Sequence, residues 1–187
     1  MMTRKQIEAL KDISANSSYN TKGKYYGEAK TSRGYLVMDG IVGVVYPESV
    51  PELADGATLN STDFVHNMIE SHIAKGNYRL VDSPFSGEVQ VSKIRKQIAE
   101  HAVKDESAPF RKTIDLMAHL EDGSVIVGRY NAKFLLNAIN AVGSNPMMYI
   151  GTHDGSLRNP NLIICNENQI CDFENGIHAI VMPIRIR

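Results

Sequence analysis

The residues best suited to chemistry in this 187-residue chain are clustered cations. Arg4, Lys5 and Lys11 share one helical pattern near the start. Lys93, Arg95, Lys96 and Lys104 lie on or beside a second such pattern, and Lys133 opens a third. Lysine and arginine on helix faces neutralise phosphates without reading bases, which is what a sliding contact on double-stranded DNA requires. Each residue alone fits the solvated face of an amphipathic helix better. The set gains weight because Arg4-Lys5-Gln6-Ile7 returns letter for letter as Arg95-Lys96-Gln97-Ile98. The total of 20 Lys+Arg against 21 Asp+Glu gives a net charge of -1, so any nucleic-acid contact must come from a local basic face.

Other chemistries find less support. Cys165 and Cys171 with His153 or His178 offer zinc ligands. Their spacing is wider than the usual Cys-x2–4-Cys, and Cys165 falls on a predicted core strand, where a cysteine acts as a small hydrophobe. His153-Asp154-Gly155 resembles a hydrolytic triplet but reads more simply as a turn. His66 and His72 are spaced poorly for joint ligation on one helix. Tyr19, Tyr25, Tyr26 and Tyr35 suit base stacking, and suit strand packing better. Nucleophile-elbow, P-loop, dinucleotide and zincin motifs are absent from the sequence. The reading is therefore of no catalytic residues, no metal, no cofactor and no enzyme.

Composition sets the frame. Hydrophobic residues make 43% and charged residues 22%, ordinary globular values. The length suits one domain or two small ones. Two cysteines fit a reducing compartment. Residues 1–15 are charged and lack the apolar stretch of a signal peptide, and no apolar run approaches the roughly 20 residues that span a bilayer. These features predict a soluble cytoplasmic protein with no membrane partner.

Several elements must position the cations. Apolar spacing predicts a helix over residues 3–14 with Thr3 as its N-cap. Strands follow within 24–46, turning at Asp39-Gly40. A helix capped by Ser61 or Thr62 runs to about Lys75, stops at Gly76, and leads to a strand at 78–82. Residues 82–87 read as a linker. A second series begins with a strand at 88–91 and a helix capped by Ser92 to about Val103. Strands at 112–120 and 124–129 turn at Asp122-Gly123. A helix capped by Asn131 carries Phe134, Leu135, Ala138, Ile139 and Val142 inward. Strands at 147–153, 161–165 and 177–186 complete the chain.

The two series echo each other. Besides the repeated tetrapeptide, Asp39-Gly40 returns as Asp122-Gly123, and the helix pattern Phe64…Asn67…Ile69 returns as Phe134…Asn137…Ile139. Matches in the same order predict an internal duplication. The predicted fold is α+β, with helices packed on one face of mostly antiparallel sheets. Its domains would be a truncated one at 1–82 and a fuller one at 86–187.

The stretch from Tyr130 to Val142, Tyr-Asn-Ala-Lys-Phe-Leu-Leu-Asn-Ala-Ile-Asn-Ala-Val, resembles a helix of the last domain of the bacterial DNA polymerase III beta subunit, the sliding clamp. The chain end Val181-Met182-Pro183-Ile184-Arg185-Ile186 is similar to that family's C-terminal strand. The resemblance is strongest over residues 124–187 and extends in element order back to about Glu88. It implies a DNA-clamp-like fold and a non-catalytic processivity factor for DNA replication. It also implies a hydrophobic pocket, here Asn131, Phe134, Val181, Met182, Pro183, Ile184 and Arg185, for a short linear motif of DNA polymerase or repair proteins. Two small domains per chain would need a homo-oligomer to surround duplex DNA. The alternative is a monomeric clamp-fold peptide-binding adaptor that does not encircle DNA.

Overall fold

Thr3 opens helix α1 (Arg4–Ser14) through a reciprocal cap: its hydroxyl accepts from Gln6 N at 3.4 Å, and its own N–H donates to Gln6 Oε1 at 2.8 Å. This closure satisfies two of the amides that a helix start leaves open. The computed structural model describes residues 1–15, 28–53, 63–74, 78–82, 91–105, 108–151, 160–166, 169, 172 and 175–184.

Three strands follow: β1 (Ala29–Thr31), β2 (Gly34–Met38) and β3 (Val42–Tyr46). The Asp39-Gly40 turn forms as expected. Asp39 Oδ1 accepts from the N–H groups of Ile41 and Val42, each at 2.8 Å, and Gly40 takes φ +93°, which suits glycine. Helix α2 (Phe64–Ala74) and strand β4 (Tyr78–Leu80) come next. The expected cap at Ser61 or Thr62 and the stop at Gly76 lie outside the described residues.

Helix α3 (Val91–His101) departs from expectation at its start. Val91 is helical rather than the end of a strand, and Ser92 lies within the first turn instead of capping it. Residues 83–90, which hold most of the expected linker and strand, lie outside the described residues. Strand β5 (Val103–Asp105) was not expected, because three residues carry too little pattern to read. Strands β6 (Ala108–His119) and β7 (Val125–Asn131) form the second hairpin. There Gly123 has φ +82°, and Asp122 Oδ1 accepts from Ser124 N at 2.9 Å.

Asn131 caps helix α4 (Ala132–Val142), its Oδ1 accepting from Lys133 N at 3.0 Å. The five predicted core positions of α4 are all buried. Strands β8 (Pro146–Gly151), β9 (Asn161–Asn166) and β10 (His178–Val181) end the series. The last is shorter than expected. Met182 N still donates to Ile41 O at 2.8 Å, but Pro183 has no donor, and Ile184 N turns to Arg129 O on β7 at 2.7 Å.

The strands form two sheets, and every pair is antiparallel. One has seven strands in the order β1-β2-β3-β10-β9-β8-β4, and the other has three, β5-β6-β7. The fold is therefore α+β with a mostly antiparallel sheet, and the described residues form four helices.

Two expectations need correction. The helices do not share one face. Helices α1 and α4 join Val37, Val44, Leu162, Ile164 and Ala179 in one core cluster. Helix α2 places Val65 and Ile69 with Leu36, Val45, Ile163 and Ile180 in another. Strands β3 and β10 are buried at every residue, so both faces of the sheet need cover. The expected division near residue 82 also runs through one sheet. Strand β3 pairs with β10, and β4 with β8, so both parts of the chain fill one core.

Burial also fixes an acid-sensitive point. His66 on α2 is 2% exposed; its Nε2 lies 3.2 Å from Thr31 Oγ1 on β1, and its Nδ1 has no hydrogen-bond partner among the described residues. Burial, then the nearby Arg33 and His178, hold its pKa below the usual histidine value, with Asp63 opposing. The unfolded chain titrates this group near 6.5. Below that pH the unfolded state binds more protons, so this contribution to stability is intact above about 6.5 and is lost as pH falls toward the folded value. The melting temperature should drop between pH 7 and 5, and His66→Leu should flatten that dependence.

Candidate nucleic-acid interface

The α1 cap does more than start a helix. Gln6 is 9% exposed, and its Nε2 donates to Ala141 O at 3.2 Å and Val142 O at 3.1 Å. One side chain thus closes the N-terminus of α1 and the C-terminus of α4. Gly143, at φ +98°, lets the backbone turn there, since an added Cβ would meet Gln6 Nε2 at 2.7 Å. The junction leaves a cleft of about 260 Å³ lined by Thr3 and Lys5 of the first turn of α1, Ser92 and Arg95 of α3, and Asn140, Gly143 and Ser144 at the end of α4.

The charged side chains that line this cleft are of one sign, and the C-terminus of α4 opposes them with its partial negative charge. Lys5 and Arg95 form no ion pair among the described residues. Arg95 instead donates through Nε to the neutral Asn140 Oδ1 at 3.0 Å, and through Nη2 to the same oxygen. A guanidinium carries five N–H donors, so most of its donors stay available, in a plane set by Asn140. The opening turns of α1 and α3 add the partial positive charge of helix N-termini. The hydroxyls of Ser92 and Ser144 complete a lining suited to a phosphate oxygen, while that of Thr3 donates to Gln6 Oε1 at 3.0 Å.

The other expected DNA contacts divide. Arg4 is spent on Glu8 at 3.0 Å and Lys96 reaches Glu100 at 3.8 Å, both on the exposed surface of their own helix. Surface pairs of this kind are weak, so a polyanion can displace them at little cost. Lys11 stands in the last turn of α1. Lys133 opens α4, at the opposite end from the cleft, roughly 14 Å along the axis from Val142 at 1.5 Å per residue. Lys93 lies on α3, and its side chain falls outside the described residues. Lys104 lies on β5, its side chain outside the described residues, so the cleft unites Lys5 and Arg95 from the eight cations expected.

The pocket carried over from the clamp resemblance is not an open one. Phe134 is 4% exposed and Val181 fully buried, and both belong to the main core, so neither presents a surface to a peptide. Asn131 is occupied as the α4 cap. Met182 is 38% exposed, and Pro183 and Ile184 are half-buried. Arg185 lies outside the described residues.

Sequence reasoning took Thr3 and Ser92 for caps and missed Gln6, Asn140 and Ser144. The signal for Gln6 was present in the repeated Arg-Lys-Gln-Ile, whose glutamine has a buried partner in the fold. Asn140 and Ser144 carry no sequence signal, because only the approach of α3 to α4 gives them a role. For metals, Cys165 is buried, and among the described residues no group of three or more His, Cys, Asp or Glu is placed to hold an ion. Cys171 and His153 lie outside the described residues. Among the described residues no helix is long and apolar enough to cross a membrane. Comparison with protein-family models, with curated proteins and with solved structures finds no match for the chain.

Proposed function

We propose that the chain is a non-catalytic, clamp-like cytoplasmic protein that holds double-stranded DNA by its phosphates and tethers a DNA polymerase or repair partner. One observation carries the reading: Lys5 and Arg95, each from a copy of the same tetrapeptide, line one cleft, and among the described residues no carboxylate pairs with them. Contacts of that kind bind without base selection, which suits a factor that must move along a duplex.

The arrangement of helix and strands supports the clamp part of the proposal. Helix α1 with β1-β2-β3 and helix α4 with β8-β9-β10 are two helix-plus-three-strand units, joined where β3 pairs with β10. A duplication drawn this way relates α1 to α4, not to α3 as the tetrapeptide suggested. Two units of this size enclose a duplex only as a homo-oligomer. The adaptor reading draws on a different observation, the exposed Met182 beside half-buried Pro183 and Ile184, an adaptable apolar edge for a short peptide.

Fluorescence anisotropy with a labelled duplex across a salt series tests the proposal. Binding should be sequence-independent and should weaken steeply as salt rises, with a mass by light scattering above that of one chain. A monomer at all concentrations with no salt-sensitive DNA affinity would leave the adaptor reading.

A further inference from the structure

Strand β7 forms one edge of the three-stranded sheet, with β6 its only strand neighbour among the described residues. Along an antiparallel strand, successive residues turn their N–H and C=O groups alternately toward the neighbour and away from it. Arg129 O is turned away, since it accepts from Ile184 N at 2.7 Å. The backbone groups of Val127 and Val125 therefore face outward as well, and among the described residues nothing pairs with them. Their side chains are also open. Val125 is 40% and Val127 42% exposed, and Met117, the register partner of Val127 on β6, is 44% exposed. The three make one apolar strip on the outer face of the sheet, while Ile126 and Leu116 belong to the core. Edge strands are ordinarily blunted by lysine, proline or a bulge. The stretch Val125-Ile126-Val127 carries none of these.

We infer that this edge pairs with the same edge of a second copy of the chain, antiparallel, about a two-fold axis at Val125. The two three-stranded sheets then join into one of six, and the two apolar strips become continuous. Ile184 occupies the edge beside Arg129, so the second strand must turn off before reaching it. An axis at Val125 meets that condition, because the second copy's Gly123 then falls opposite Val127. That turn has room, since a Cβ added at Gly123 would meet nothing within 4 Å. The charges agree. The exposed Glu121-Asp122 turn of each copy comes level with Gly128 and Arg129 of the other. Parallel pairing would set one acidic turn against the other. The inference gives the homo-oligomer of the proposed function a contact surface and uses no part of the phosphate cleft.

Light scattering on a size-exclusion column over a range of concentrations tests it, with circular dichroism as the check on folding. The unaltered protein should be a dimer. Val125→Lys and Val125→Glu should each weaken that dimer by about 10-fold or more, because like charges then meet across the axis. Mixing the two variants should restore a dimer, as opposite charges replace like ones. A monomer at every concentration would overturn the inference and leave the edge to a strand of another protein. A dimer that both variants preserve, or that mixing fails to restore, would overturn it too. Duplex binding read by anisotropy separates this failure from that of the proposed function. Salt-sensitive affinity retained in any of those cases would leave the phosphate cleft standing.

Discussion

Replacing Lys5 and Arg95 together by alanine should lower the affinity for duplex DNA by about 10- to 100-fold near 0.15 M salt, with the fold intact. Each phosphate contact contributes a slope of roughly 0.9 to the dependence of log affinity on log salt, so the double variant should flatten that slope by about 2. The comparison that gives the prediction force is Arg4→Ala with Lys96→Ala. Those two cations sit on the same helices, but each already faces a glutamate, Glu8 or Glu100. Removing them should cost several-fold less. Equal losses for both double variants would mean that total charge matters and the cleft does not. Neither change touches the cap of α1, which Thr3 and Gln6 make, and Arg95→Ala also removes the bonds from α3 to Asn140 on α4, so circular dichroism must accompany the titration.

Leu135→Ala should destabilise the protein by about 3 kcal/mol, within the 2–5 range of a buried leucine that leaves a cavity. Leu135 is fully buried on α4, in the cluster that draws Leu10 and Ile13 from α1, Val44 from β3 and Ile164 from β9. For a chain of this length the melting temperature should fall by roughly 6–12 °C. The same variant tests whether the chain unfolds as one unit. The protein has no tryptophan, so tyrosine emission reports local packing, and Tyr46 and Tyr130 sit in the early and late parts of the shared core. Tyrosine emission and far-ultraviolet circular dichroism should shift together to the lower temperature. Two separated transitions would mean that the parts before and after residue 82 fold independently, against the pairing of β3 with β10.

The elements legible in the sequence are those fixed by local chemistry. Thr3 before a helical pattern, Asp39-Gly40, Asp122-Gly123 and Asn131 before an apolar helix each announce a cap or turn, and each forms. What the sequence conceals is long-range. Nothing local says that β3 will pair with β10 across more than a hundred residues, so the boundary near residue 82 looked like a division between cores. The runs of β3 and β9 are buried on both faces, and α2 covers the side opposite α1 and α4, which the expectation of helices on one face missed. In the cleft, charge type was readable at Lys5 and Arg95, while partnership was not. Arg95 meets Asn140 only because α3 lies against α4. Phe134 and Val181 show the reverse error, since residues that suit an apolar pocket suit a core equally well.

The central claim is that phosphate binds between α1, α3 and the end of α4. Backbone amide shifts of the ¹⁵N-labelled protein, followed as unlabelled duplex DNA is added, test it most directly. The account predicts that the largest shifts fall on Thr3, Lys5, Ser92, Arg95, Asn140 and Ser144 and that they reverse on adding salt. Shifts concentrated at Met182 and Ile184, or no shifts at all, would contradict it.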